Sequence, residues 1–328
     1  MVHPLRKAII ILSFVCVVLF YFTIVSGSKV FKSEWELPRA TEQGNSKHRI
    51  VLITQELETP FWDKVAKAAM EQAKKESASL EVWGSYGNNR EDFLKKIEIA
   101  IYSQVDGIIV QGLDTDEFKA LTKIKAASYG IPIITVANDV PMGDSLRKSY
   151  VGSDQYLAGK MIGEQLLDDM GTAGEVAIMI DKQYQYFQKQ RLEGIKDVLI
   201  EYPNIKIIDI EMKDAREQVM ATTRDVLNRN PNIDAFIAIN ADILAAMVQE
   251  IESRSQIERY YIYSCDDDYE SISLLNQGKI NGIIEQSPEE MGTKSVELIL
   301  KWLNNEKVPL DLNGYRTDIQ VVKASDVR

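Results

Sequence analysis

From Arg49 onward, short apolar runs alternate with longer stretches in which apolar residues recur every three or four positions. Arg49–Ile53, Leu80–Trp83, Ile108–Val110 and Pro132–Ala137 read as strands. Thr59-Pro60 opens the first intervening helix, because Thr can cap the free N–H groups and Pro suits the first helical position. Phe93, Ile97 and Ile101 mark the buried face of a second helix, and Phe118, Leu121, Ile124 and Ala127 that of a third. The strands are unbroken apolar runs, as expected for a parallel sheet covered by helices on both faces.

The pattern begins again after Tyr150–Ser153. Glu175–Ile180, Ile205–Ile210, Ala235–Ile239, Tyr260–Tyr263 and Gly282–Gln286 read as strands, with helices centred near Gly194, Thr223, Ala246 and Ser273 between them. A long helix over Pro288–Leu303 and an extended segment, Thr317–Lys323, follow. Two successive series of βα units predict two α/β lobes of similar size. No long linker separates them, so the arrangement implies a hinge and a cleft. In open parallel sheets, ligands bind outside the carboxyl ends of the strands.

Residues 1–48 do not share this pattern. Residues 8–25 carry no charge and follow Arg6 and Lys7. About 18 apolar residues lie at the lower edge for spanning a bilayer and exceed the usual apolar core of a cleaved signal. Positive charge ahead of the segment places residues 1–7 in the cytoplasm and the body outside. Ser26-Gly27-Ser28 could serve a signal peptidase, but the length favours an uncleaved, single-pass anchor. Phe14-Val15 before Cys16 lacks the small residues of a lipoprotein signal, and residues 26–48 read as a polar spacer.

The 328-residue chain has a net charge of −11, and residues 1–48 carry six Lys/Arg against three Asp/Glu, leaving −14 on the rest. So acidic a body is a poor match for nucleic acid or an anionic membrane surface. The two cysteines, Cys16 and Cys265, cannot form a disulfide framework, and Cys265 reads as a small packing residue. The two histidines, His3 and His48, both precede the folded body, which excludes a His-based catalytic or metal site within it. Neither a P-loop, a dinucleotide fingerprint nor a G-x-S-x-G elbow occurs, so no motif supports an enzyme. Asp266-Asp267-Asp268 lacks the ordered ligand spacing of a calcium loop, and an acidic helix start accounts for it.

Several phrases occur in a shared order over residues 49–323: Thr59-Pro60-Phe61-Trp62, Asp106-Gly107-Ile108-Ile109-Val110, Gly130-Ile131-Pro132-Ile133-Ile134-Thr135 and Tyr150-Val151-Gly152-Ser153-Asp154 in the first half. Arg191-Leu192-Glu193-Gly194-Ile195, Asn230-Pro231-Asn232-Ile233-Asp234-Ala235-Phe236 running on to Asn240, Cys265-Asp266, and Ile284-Glu285-Gln286-Ser287-Pro288 follow. Together they resemble the type I periplasmic binding protein superfamily, in its ribose- and galactose-binding branch. The resemblance implies two Rossmann-like lobes joined by three crossings, near Ser153–Asp154, Gln286–Ser287 and Arg316–Asp318. Residues 49–153 plus 287–317 would form the N-terminal lobe, and 154–286 plus 318–328 the C-terminal lobe.

The resemblance also implies a sugar between the lobes and no cofactor. Phe61 and Trp62 would offer flat apolar rings to the C–H faces of a sugar. Asn138 and Asp139 follow a strand where similar binders place hydrogen-bonding amides and acids. Ala137 stands where an acid is common in ribose binders, which makes Asp139 the acidic partner. Arg191, Asn240, Asp266 and Gln286 match family ligand positions, and a guanidinium with five donors suits a polyol. Thr59 and Gln111 are secondary candidates, with Tyr184, Tyr186, Phe187 and Lys189 at the rim. The function implied is an extracytoplasmic, membrane-tethered receptor that closes around a monosaccharide. Its partner would be an ABC sugar importer or a membrane sensor histidine kinase. A non-sugar or sugar-like signal molecule is the alternative ligand. A sugar-processing enzyme and a regulator of the lac-repressor kind stand further off, the second because an apolar span occupies the place of a DNA-binding headpiece.

Overall fold

The computed structural model describes Val18, Leu19 and residues 47–326, apart from 88, 183, 184, 214 and 255–259. The anchor expected over 8–25 thus lies outside the described residues except at Val18 and Leu19, as do most of the spacer and Tyr184. Among the described residues, no helix is long and apolar enough to cross a membrane. Ser46–Arg328 form one compact unit.

That unit contains two six-stranded sheets. The first contains β1 (Arg49–Thr54), β2 (Ser79–Gly84), β3 (Gly107–Gln111), β4 (Ile133–Val136), β5 (Ser149–Gly152) and β11 (Tyr315–Arg316), in the order β2-β1-β3-β4-β5-β11. All its pairings are parallel. The second contains β6 (Ala173–Asp181), β7 (Asn204–Met212), β8 (Ile233–Ala238), β9 (Tyr261–Ser264), β10 (Gly282–Gln286) and β12 (Ile319–Lys323), in the order β7-β6-β8-β9-β10-β12. Here β12 alone runs antiparallel, against β10. Each sheet separates two apolar clusters, so both faces are covered. In β3, all five residues are buried, which explains the unbroken apolar run.

The helices are α1 (Pro60–Lys75), α2 (Arg90–Tyr102), α3 (Asp116–Lys119), α4 (Met142–Ser145), α5 (Gln155–Met170), α6 (Tyr186–Leu199), α7 (Arg216–Arg229), α8 (Ala241–Arg254), α9 (Tyr269–Asn276) and α10 (Pro288–Leu303). Thr59 caps α1, its hydroxyl accepting from the Trp62 N–H at 3.4 Å. The chain passes between the sheets three times: from β5 into α5 and β6, from β10 into α10, and from β11 to β12. Helix α10 returns to the first lobe, where Met291, Val296 and Ile299 complete the core beside Ile50, Leu52 and Ile109.

Two elements depart from the sequence reading. The third helix continues from α3 into a π-helix, Ala120–Ala126. A wider turn moves the buried face: Phe118, Leu121, Thr122 and Ala126 are buried, whereas Ile124 is 66% exposed and Ala127 is exposed. His48 belongs to the body, with Nε2 3.0 Å from Asn304 Oδ1 and its carbonyl accepting from the Ser79 N–H. It directly precedes β1, at the amino end of the strand, and is not among the cavity-lining residues.

Candidate functional site

The carboxyl ends of the two sheets face a cavity of about 370 Å³. The first lobe supplies Thr59, Phe61 and Trp62 from the start of α1, Gln111 from the end of β3, and Ala137 and Asn138 after β4. The second supplies Phe187 and Arg191 from α6, Asn240 after β8, Asp266 and Asp267 after β9, and Gln286 from the end of β10. Phe61 and Trp62 meet edge to face, with ring centroids 5.5 Å apart. Trp62 is only 3% exposed and also packs in the core, so one tryptophan ring serves both.

Arg191 is fixed before any ligand arrives. Its Nε donates to Gln155 Oε1 at 2.7 Å, Nη1 to the Ile239 carbonyl at 2.9 Å and Nη2 to Asp266 Oδ1 at 2.7 Å. The Phe187 ring lies 4.9 Å from the guanidinium carbon. Burial pulls the Arg191 pKa down, but Asp266 and its other neighbours more than offset this, so the guanidinium stays charged. Three of its five N–H groups are used in these bonds, leaving two for a ligand. Helix α6 can bring Arg191 this close to α5 because Gly159 faces its backbone: a Cβ on Gly159 would sit 2.1 Å from the Arg191 carbonyl oxygen. Asp266 is held on its other side by the Ala241 N–H, at 3.0 Å from Oδ2. The Asn240 Oδ1 is buried and lacks a protein partner, which leaves an acceptor for a ligand hydroxyl or amine.

Gln111 Oε1 accepts from the Thr54 hydroxyl and the Gln55 N–H, both at 2.9 Å, so its NH₂ is not used by either bond. Ala137 has a φ of 63° and lies in the left-handed region; the Tyr150 hydroxyl donates to its carbonyl at 2.8 Å and holds the turn that presents Asn138. Gln286 ties the site to the crossings. Its Oε1 accepts from Ser153 Oγ at 2.8 Å, while its backbone N–H donates to Asp267 Oδ2 at 3.0 Å.

Asp139 does not join this group. Both of its oxygens accept from Arg147, at 2.6 Å and 2.7 Å, and Thr135 donates to it at 2.7 Å. Arg147 is buried and needs that carboxylate, which removes Asp139 from the role of acidic partner. Asp267, by contrast, lines the cavity and was legible only as part of an acidic helix start. Asp268 alone does the capping, accepting from the Ser271 N–H at 2.8 Å. Among the described residues, no group of acids, cysteines and histidines has the arrangement of a metal site. Cys265 is buried, and burial pushes its thiol up to about 12, so it packs and does not react.

Away from the crossings, the lobes also touch through Asp114, in the loop after β3. Its N–H donates to Gln185 Oε1 at 2.6 Å, and its carboxylate lies 2.7 Å from Lys119 and 3.7 Å from Lys189. The two lobes therefore touch both at Ser153–Gln286 and at Asp114–Gln185.

A family model described as a periplasmic binding protein domain matches residues 50–307. The chain belongs to this family. The ribose import binding protein of Escherichia coli strain K12 is 22% identical over 279 residues, covering 83% of this chain and 93% of that protein. The D-allose-binding periplasmic protein of the same strain is 22% identical over 81% of this chain and 88% of its own length. Among solved structures, GanP, a glucose-galactose binding protein from Geobacillus stearothermophilus, superposes with a TM-score of 0.78 at 29% identity, covering 85% of this chain and 98% of its own. The XylFII-LytSN complex contains a chain similar at 30% identity and a TM-score of 0.72, covering 86% of this chain and 99% of that one. These relatives are sugar-binding proteins and not enzymes. Family membership points to a body outside the cytoplasm.

Proposed function

We propose that this periplasmic binding protein is a tethered extracytoplasmic receptor that closes around a monosaccharide and presents its closed state to a membrane partner. One observation carries the reading: a cavity bounded by both lobes, where aromatic rings of the first face a pre-fixed arginine and an unpartnered Asn240 oxygen of the second. Rings suit the C–H faces of a sugar, and the polar groups suit its hydroxyls. A ligand touching both lobes stabilises the closed arrangement over the open one, and this difference is what a partner can read.

The tether would be residues 8–25, on the strength of their uncharged length and the preceding Arg6 and Lys7. An uncleaved helix can pack beside a partner's helices in the bilayer, which favours a sensor histidine kinase. The likeness to XylFII, solved alone and with LytSN, supports a receptor that assembles with a second protein. The likeness to import binding proteins supports the other partner, an ABC sugar importer.

Calorimetry of the compact unit from Ser46 onward against a panel of pentoses and hexoses tests the central claim. Binding of at least one sugar is expected, and none binding would overturn it. In the responding case, Arg191→Ala loses at least about 1.5 kcal/mol, as a charge-assisted hydrogen bond requires. Unchanged affinity in that variant would remove this cavity as the binding site.

A further inference from the structure

The acids around the cavity differ in what neutralises them. Asp266 faces Arg191, and Asp268 caps its own helix. Glu285 accepts from Gln320. Asp268 and Glu285 are exposed to water, whereas Asp267 is half-buried in the cavity lining, and its oxygens meet two neutral donors, the backbone N–H of Gln286 at 3.0 Å and the side-chain amide of Gln286 at 3.5 Å. Among the described residues, no Lys or Arg forms an ion pair with Asp267, and Lys64, the other lining cation, pairs with Glu289 at 3.8 Å. Burial adds a desolvation cost that outweighs the hydrogen bonds from Gln286, and the neighbouring Asp266 carboxylate adds repulsion, so the Asp267 carboxyl is pushed up to about 6. Near neutral pH, Asp267 is thus a charged, half-buried carboxylate that the protein does not neutralise and that faces the ligand space.

A neutral sugar hydroxyl can donate to such a group but does not cancel its charge. An ammonium does both, and in a partly desolvated site the cancellation is the larger effect. A phosphate or carboxylate on the ligand would meet Asp267 at its worst. Asn240 Oδ1, on the neighbouring strand end, is a further acceptor without a protein donor. We infer that the cleft selects an amine-bearing sugar or polyol, with Asp267 as the residue that recognises the ammonium group and turns away anionic sugars. The inference rests on the sugar-receptor reading and names the ligand class within it.

Calorimetry of the full chain in detergent decides the matter. The probes are glucosamine, galactosamine and mannosamine, each beside its neutral parent sugar, with glucuronate and glucose 6-phosphate as anionic probes. The expected result is at least tenfold tighter binding of one amino sugar than of its parent, with no detectable binding of either anion. Asp267→Asn, which keeps an oxygen for the Gln286 N–H, should bring that ratio to within about twofold of unity. Neutral sugars bound as tightly as their amino counterparts, or a preference that survives Asp267→Asn, would overturn the inference and leave the receptor reading intact. No sugar of either kind bound would overturn both.

Discussion

Asp266 and Asp267 are adjacent, yet only the first has a guanidinium beside it. The contrast makes Asp267 a stability liability of predictable sign. Its folded-state pKa, about 6, lies above its ordinary value of 3.8 because burial disfavours the charge. Between those two values the folded form holds the proton that the unfolded form has released, so stability falls as pH rises through this window. Above it the full cost remains, up to about 3 kcal/mol at 1.36 kcal/mol per pKa unit. Asp267→Asn should therefore raise the melting temperature of the ligand-free protein at pH 7.5, and by much less at pH 4. An equal gain at both pH values would show that the carboxylate is not strained. A residue that costs stability in a ligand cleft is where function is expected to show. Residue chemistry was legible where it depended on local order: the phrases around Arg191, Asn240 and Asp266 led to one cavity. It was not legible for Asp139, because its partner Arg147 reaches it through folding and not through a motif. Nor did adjacency in Asp266-Asp267-Asp268 reveal that three identical side chains have three different surroundings.

Among the elements, the π-helix Ala120–Ala126 gives the sharpest test. Regular helical spacing puts Ile124 in the core, whereas the widened turn leaves it exposed and buries Ala126 completely. Ile124→Gln should change stability by no more than about 0.5 kcal/mol, as for a surface site. Ala126→Gln should cost about 1–3 kcal/mol through overpacking and burial of an amide. Urea denaturation of the two variants checks this, and a large loss at Ile124 would restore the regular helix. Long elements with strong periodicity were readable: Gly282–Gln286 and Pro288–Leu303 coincide with β10 and α10. β5, β11 and α4 were not, because their residues (Ser149–Gly152, Tyr315–Arg316 and Met142–Ser145) hold no apolar run of their own. Strand β11 exists only through its pairing with β5, from which it is remote in sequence. The close contact of α5 and α6 also escaped the reading, since a glycine in a helix announces no particular neighbour.

For the whole molecule, the Asp114–Gln185 contact bears on the balance between open and closed forms. Gln185 does not line the cavity; it reaches a ligand through this contact between the lobes and through its place as the N-cap of α6, which carries Arg191. Gln185→Ala removes one hydrogen bond between the lobes, worth about 0.5–1.5 kcal/mol. It should weaken sugar binding roughly two- to tenfold by destabilising the closed form. Binding titrations of this variant, with affinity unchanged, would show that the contact does not contribute to closure. The two-lobe division was legible from the restart of the βα pattern, while the return of α10 to the first lobe came from family resemblance and not from periodicity. That return has a consequence for biosynthesis. The first lobe's sheet is translated early, but Met291, Val296 and Ile299, which cover one of its faces, follow only after the entire second sheet except β12. Until then, Ile50, Leu52, Ile109 and Ile134 have only α1 (Trp62, Val65, Ala66, Ala69) of their two covering helices, and a nascent chain in that state presents the rest of an apolar face to whatever surrounds it. The same crossings that join the two sheets thus oblige the two lobes to mature together.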